Sequence, residues 1–344
     1  MSNRRVTMDD VAKAAGVSRQ TVSNFIRGTG RIGDVTATRI GEVIDRLDYS
    51  PHPGASSMRS RRSGQLAFPL GDSALAPDNV IVMEFISALV RAAGNQGYHV
   101  LLTSNGARGM RDLVRSGRVD GFIFSDMIGY DERLEIVEET HTPFACFGRV
   151  PSGLRQAWID VDNVAGTRRA TDYMVALGHR DIAYFGFHDA EQDAYWDGER
   201  RDGYLASVEE HGVAPRVTTS RMDQSAMGAA AMELLRGPDR PTAIVCSSDA
   251  LAVPIYRAAA EAGLVVGSDL AISGFDSSVI GRSLVPSLTT MRVRVDRIAE
   301  LVMERFMAEL QDPDAVVEGA LVVPELQVGS STAPPALEAR VHRL

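Results

Sequence analysis

The chain has 344 residues, 44% of them apolar and 24% charged, with two cysteines and a net charge of -9. Such a composition supports two or three globular cores and excludes disordered, collagen-like and disulfide-stapled classes. Cys146 and Cys246 each follow a short apolar run far apart in the chain, so they read as buried reduced thiols with no metal-ligand spacing, and no metal or other cofactor is expected.

The charge is unevenly divided. Residues 1–62 hold 11 Lys and Arg against 6 Asp and Glu, while the remainder holds 25 against 39. An acidic body repels nucleic acid, whereas a short basic N-terminal segment is the footprint of something that meets phosphate. Arg4, Arg5, Asp9, Asp10 and Lys13 stand where a signal peptide needs an apolar core, and no stretch reaches the ~20 apolar residues of a membrane span. A cytoplasmic protein without membrane insertion is expected.

In chain order, Met8, Val11, Ala12 and Ala15 keep the i, i+3, i+4, i+7 spacing of a helix, and so do Ile40, Val43, Ile44 and Leu47. Between them Thr7 can cap the first helix, Gly16 ends it, and Ser18 can cap a second helix whose inward face is Val22, Phe25 and Ile26. Two helices joined by the tight turn Ala15-Gly16-Val17, followed by a third, predict a three-helix unit. SPHPGASSMRSRRSG at 50–64 changes composition to that of a linker. From residue 65 the runs QLAFPL, YHVLLT, DGFIFS, PFACFG, AWIDV, IAYFGF, TAIVCS and LAISGF alternate with segments of helix length, which predicts parallel α/β units in two related lobes. Ligands of open parallel sheets sit beyond the carboxyl ends of the strands, so the region between the lobes is the expected binding site. The tail STAPPALEARVHRL is broken by Pro and too short for a coiled coil.

VTMDDVAKAAGVSRQTVSNFIRG resembles the helix-turn-helix of the LacI/GalR family of bacterial transcription regulators, through Thr7, Asp10, Val11, Ala12, Ala15, Gly16, Val17, Ser18, Thr21, Val22 and Ser23. The likeness continues through LDYSPHPGASSMRSRRSG, LGHRDIAYFGF, ERRDGYLASV, SSDALAVPIYRAAAEAGL, ISGFDSS and PSLTTMRVRVDRIAELVMERF, and so covers about residues 6–329. It implies an α+β multidomain fold: a helix-turn-helix three-helix DNA-binding domain over 1–49, a hinge linker and hinge helix over 50–64, a two-lobed α/β, periplasmic-binding-protein-like effector and dimerisation domain over 65–330, and a C-terminal tail over 331–344. The implied partners are a pseudo-palindromic double-stranded operator, a small sugar or sugar derivative as effector, and a second copy in a homodimer.

Independently of the resemblance, a major groove ~12 Å wide admits one helix, whose first turns reach base edges. Arg19 and Gln20 open the second helix and Asn24 lies one turn after Gln20, which makes these three the candidate base readers. Thr7, Ser18, Thr21 and Ser23 suit capping or phosphate contact. The family usually has Ser or Thr where Gly33 stands, leaving Asp34 as the alternative cap of the third helix. In the hinge, the resemblance makes Met58 the apolar wedge of a minor groove, with Arg59 adding charge for phosphate.

For the effector, the resemblance assigns Arg200 as the guanidinium that grips hydroxyls or carboxylates and Asp276 as the strand-tip acceptor. A structural ion pair between Arg200 and Asp276 or Asp202 is the plainer alternative. Ser248 stands where sugar binders often have Asn, Gln224 where several stack an aromatic; Tyr195 and Trp196 could supply that surface instead. Asp72 and Ser73 follow the first strand of the body and could close from the other lobe.

An enzyme is not expected. GDSAL at 71–75 resembles an esterase nucleophile motif, but none of the seven His has Asp three positions earlier, and neither a dinucleotide fingerprint nor a Walker A sequence occurs. A sugar-binding receptor of a transport system shares the two-lobed body, but it would carry a signal peptide and no helix-turn-helix.

Overall fold

A computed structural model of the chain describes residues 6–26, 29–49, 62–70, 80–104, 106–125, 127, 131–187, 195–312 and 318–335. It divides into two units, residues 1–63 and 64–344.

In the first unit α1 (Met8–Ala15), α2 (Arg19–Ile26) and α3 (Asp34–Arg46) pack around buried Val11, Ala12, Ala15, Val22, Ile40, Val43 and Tyr49. The spaced apolar residues of all three predicted helices converge on this one core. Thr7 and Asp10 form a reciprocal capping box, and Gly16 closes α1 in the left-handed conformation, at φ 65, that lets the chain turn directly into α2. The third helix departs from expectation. Gly33 is its N-cap with no side-chain bond, and Asp34 does not cap but stands in the first turn, where its charge faces the positive end of the helix.

The second unit contains two six-stranded sheets. β1 (Gln65–Pro69), β2 (His99–Thr103), β3 (Gly121–Phe124), β4 (Phe144–Phe147), β5 (Trp158–Val161) and β11 (Ala320–Val322) form the first, in the order β11-β5-β4-β3-β1-β2 with all described pairings parallel. β6 (Ile182–Phe187), β7 (Val217–Ser220), β8 (Ala243–Cys246), β9 (Ala271–Asp276), β10 (Thr289–Arg292) and β12 (Glu325–Gln327) form the second, in the order β12-β10-β9-β8-β6-β7, where only β12 runs antiparallel. Each of the eight apolar runs marked in the sequence is a strand. Cys146 and Cys246 lie on β4 and β8 as free, fully buried thiols.

The remaining described helices are α4 (Val80–Asn95), α5 (Ala107–Arg115), α6 (Glu132–Glu139), α7 (Asn163–Ala176), α8 (Tyr195–Glu210), α9 (Gln224–Leu235), α10 (Asp249–Glu261), α11 (Val279–Ser283) and α12 (Val295–Gln311). The chain changes lobes after β5, where α7 leads into the second sheet; after β10, where α12 returns to pack on α4 and β4; and between β11 and β12. The two lobes are thereby braided rather than strung in series. Residues 331–335, the start of the expected C-terminal tail, are held to the second sheet: buried Ser331 bonds Ile272 and Thr289, and His179 Nε2 pairs with the Ala333 carbonyl at 2.9 Å.

α7 and α8 flank the site described below and pack closely because Gly203 lies against the α7 backbone. A Cβ there would stand 2.3 Å from the Val164 carbonyl oxygen, an atom fixed by its own helix. Gly203→Ala is expected to destabilise the fold by about 1–3 kcal/mol through overpacking, read as a lower urea midpoint with unchanged slope.

Candidate DNA-reading helix and effector site

On the first unit the capping atoms set the frame. Thr7 Oγ1 accepts from the Asp10 amide at 3.3 Å, and Ser18 Oγ accepts from the Thr21 amide at 3.1 Å while meeting Thr21 Oγ1 at 2.8 Å. Ser18, Arg19 and Gln20 are exposed at the start of α2, and Thr21, Ser23 and Asn24 are half-buried beside them. Gln20 Nε2 donates to Asn24 Oδ1 at 2.9 Å, so these two amides form one ordered polar ridge one turn long. Arg19 lies 3.5 Å from Asp9, with both side chains about two-thirds exposed (67% and 66%). A pair so exposed is worth little, and a phosphate or guanine edge can take its place. Met58 and Arg59 lie outside the described residues.

On the second unit the centre is Arg200, a buried guanidinium on α8. Its Nε donates to Asn163 Oδ1 at 2.9 Å, Nη1 to the Ser247 carbonyl at 2.6 Å, and Nη2 to Asp276 Oδ1 at 3.3 Å. It also stacks on Phe275, 3.7 Å from the ring centre, and lies 4.8 Å from the centre of Trp196. These partners come from the start of α7, the ends of β8 and β9, and the first turn of α8. Parallel strands collect such groups at their carboxyl ends. Guanidinium is suited to this position because its flat faces accept aromatic rings while its edge offers five N–H donors.

Arg200, Asp276 and Trp196 are thus brought together, with the Arg200 to Asp276 ion pair formed. Ser248 lies at the N-cap of α10, and its Oγ is buried with no hydrogen-bond partner among the described residues. Gln224 stands apart, exposed at the first position of α9. Asp72 and Ser73 lie outside the described residues. Tyr195 directs its hydroxyl to the first lobe, donating to Asp160 Oδ2 at 3.1 Å and accepting from the Arg149 amide at 3.3 Å.

Sequence reasoning missed Asn163, Phe275, Arg149 and Asp160. Asn163 Nδ2 donates to Glu199 at 3.1 Å, and Glu199 pairs with Arg149 at 2.6 Å, so the Arg200 cluster continues into contacts between the lobes. Arg282 of α11 and Glu84 of α4 make a second pair between lobes at 3.5 Å. Asn163 opens α7 one residue beyond the tip of β5, after the N-cap Asp162, a position that could have marked it; nothing in the local pattern marks Arg149.

Several carboxyls here bind protons tightly. Burial pushes Asp276 up to about 6 against the opposing pull of Arg200, and burial pushes Asp160 up to about 6 against hydrogen bonds from Val161 and Tyr195. Burial, with the charge of Asp276 adding, pushes Asp249 up to about 7. Among the described residues no group of three or more His, Cys, Asp or Glu could hold a metal ion, and no helix is long and apolar enough to cross a membrane.

Comparison with known proteins agrees with both units. Residues 7–52 match "Bacterial regulatory proteins, lacI family" and residues 171–332 match "Periplasmic binding protein-like domain". The transcriptional regulator DegA of Bacillus subtilis (strain 168) is 28% identical over 96% of this chain and 99% of its own length. The lac repressor dimer bound to operator and an anti-inducer superposes with TM-score 0.79 at 22% identity, over 96% of this chain and 100% of that one. The complex of the regulator CelR with cellobiose superposes with TM-score 0.67 at 23% identity, over 95% and 100%.

The raised carboxyls fix a direction for pH dependence. A group that binds its proton more tightly when folded contributes stability that is complete below its unfolded value near 4 and is lost as pH rises through its folded value. For Asp160, Asp276 and Asp249 that loss begins near 4, where the unfolded carboxyls ionise, and is complete once the folded values of about 6, 6 and 7 are passed. Asp296, held down at about 2 by Arg294, titrates outside this window. Their combined contribution therefore falls between about pH 4 and about pH 7, and Asp249→Asn should flatten the fall in thermal midpoint over that range, measured by calorimetry. An unchanged slope in the variant would contradict the assignment.

Proposed function

We propose that this chain, which belongs to the lacI family of bacterial regulatory proteins, is a homodimeric repressor of sugar uptake or catabolism genes, acting in the cytoplasm on a pseudo-palindromic operator. The observation that carries the reading is the pairing, in one chain, of an exposed polar ridge on a helix-turn-helix with an Arg and Asp pair at the strand tips of a two-lobed body. Arg19, Gln20 and Asn24 read base edges, while Thr7, Ser18, Thr21 and Ser23 seat the unit on phosphate. Met58 and Arg59 act in the hinge, the one as wedge and the other as phosphate contact.

The effector is a small hydroxylated molecule held between the lobes. Arg200 offers it the second N–H of each terminal nitrogen, Asp276 offers acceptor lone pairs, Ser248 an unpaired hydroxyl, and Trp196 an apolar face. Asp72 and Ser73 close from the first lobe and Gln224 contributes from the rim. The cellobiose of the CelR complex supports a sugar as the class. Regulators of this family are not enzymes, and no catalytic role is assigned to these side chains.

Two measurements test the reading. Selection from random duplexes should return a two-fold symmetric consensus, and Ala in place of Arg19, Gln20 or Asn24 should cost about 1–3 kcal/mol and relax one symmetric position. A consensus without symmetry would refute dimeric operator reading. For the effector, calorimetry with a panel of sugars and sugar phosphates should find a ligand whose binding is lost in Asp276→Ala, because its hydroxyls then leave Arg200 and their own donors unmatched. Wild-type affinity in that variant would put the site elsewhere.

A further inference from the structure

Asp276 and Ser277 are adjacent residues other than glycine with φ of 106 and 56. Side chains with a Cβ seldom adopt such angles, and a turn that holds two of them needs outside support. The support converges on one carboxylate. Asp249, fully buried at the first position of α10, accepts on Oδ2 from the Ser278 amide at 2.7 Å and the Ser278 hydroxyl at 3.0 Å, and on Oδ1 from Thr290 Oγ1 at 2.6 Å. Thr290 Oγ1 accepts in turn from the Ser277 amide at 3.3 Å. The turn is therefore gripped at both of its residues that follow Asp276.

Space for this carboxylate is built in. A Cβ on Gly274 would stand 2.4 Å from Asp249 Oδ1, and one on Gly281 would stand 2.5 Å from Oδ2. Glycine on β9 and glycine on α11 thus leave room for a group that belongs to neither element. Asp249 itself makes none of the hydrogen bonds to Arg200, so its hydrogen bonds act on the cluster by way of the turn, beside the charge repulsion between Asp249 and Asp276.

We propose that Asp249 is the positioning residue of the effector site, holding the turn after β9 in a left-handed backbone so that the Asp276 carboxylate is aimed at Arg200. This rests on the reading of Arg200 and Asp276 as the effector-holding pair. A relaxed turn swings the carboxylate away from the guanidinium; the ligand then meets a donor without its matched acceptor. Asp249 thereby decides the direction of a group it does not touch.

The test needs no ligand, so its failure is separate from failure to find an effector. Trp158→Phe leaves Trp196 as the sole tryptophan of the full chain, and 5-fluorotryptophan there reports the Arg200 guanidinium lying over its ring. Asp276→Asn sets the displacement of the fluorine resonance that loss of the ion pair produces. Asp249→Asn should move the resonance in the same direction by at least half as much, and adding Ser277→Gly should bring it back toward the parent position, because glycine adopts the left-handed turn without support. A role limited to packing would lower the thermal midpoint but would not be rescued by glycine two elements away. Should Asp249→Asn not yield folded protein, Thr290→Val, which removes the 2.6 Å donor, takes its place with the same expectations. A resonance unmoved by the first substitution, or one that Ser277→Gly fails to restore, overturns the proposal.

Discussion

The second unit is organised around a charge that has to be buried. A guanidinium removed from water costs several kcal/mol unless each face and edge is compensated, and removing one partner of such a pair typically costs about 3–5 kcal/mol. Arg200 meets that demand from four elements at once: Asn163 opens α7, the Ser247 carbonyl follows β8, Asp276 ends β9, and the rings of Phe275 on β9 and Trp196 on α8 lie against the guanidinium. None of these partners is near another in the chain except Phe275 and Asp276. The ion pair therefore fixes the mutual position of strand tips that the sheet alone would leave to loops, and the turn after β9 accepts unfavourable backbone angles in exchange.

The same cluster reaches the other lobe through ordinary hydrogen-bond chemistry. Asn163 has an acceptor and donors on one amide; it spends the acceptor on Arg200 and a donor on Glu199. Glu199 pairs with Arg149, whose Nε lies 3.4 Å from Asp160, which in turn accepts from Tyr195. A shift of the Arg200 head group thus alters which groups remain to bridge the lobes. Because the chain passes between lobes at three places, a rotation of one lobe against the other would bend these crossings and strain the polar bridge of Arg149, Glu199, Asp160 and Tyr195. A ligand shifts a population of arrangements only by its difference in affinity for them.

Much of this was legible in the chain and the illegible part has a common cause. The helix-turn-helix was readable because capping and apolar spacing are local; Thr7, Gly16 and Ser18 do what their neighbours require. Most strands inside each sheet were readable because parallel interior strands are continuous apolar runs, but β10, which lies between β9 and β12, reads TTMR and was not marked. β7 at a sheet edge reads VTTS, and β11 and β12 are three residues each, too short and too polar for any periodic signal. Arg200 and Asp276 were reached through family likeness, since periodicity does not single out one Arg in ERRDGYLASV. Asn163, Arg149 and Asp160 were missed because their importance lies in partners from 11 to 50 positions away, which is topology and not pattern. The left-handed angle at Ser277 was equally invisible, because Ser gives no sign of a conformation that only distant hydrogen bonds maintain.

A pair assembled in advance has consequences for what it selects. Under the proposed reading, a ligand hydroxyl arriving at Arg200 and Asp276 meets a donor and an acceptor already desolvated and oriented, so little of its binding energy goes into ordering the protein. The reverse holds for an analogue that lacks the hydroxyl. It leaves Asp276, a carboxylate with little access to water, short of a donor, and sites built this way discriminate by about four to five orders of magnitude where a purely apolar pocket manages about two. Trp196 then contributes affinity without much choice, since any sugar face or ring can lie against it, while the choice resides in the direction of one carboxylate. That direction is set in the ligand's absence by the turn after β9, so the specificity of the site is stored in the backbone of the protein before any effector is bound.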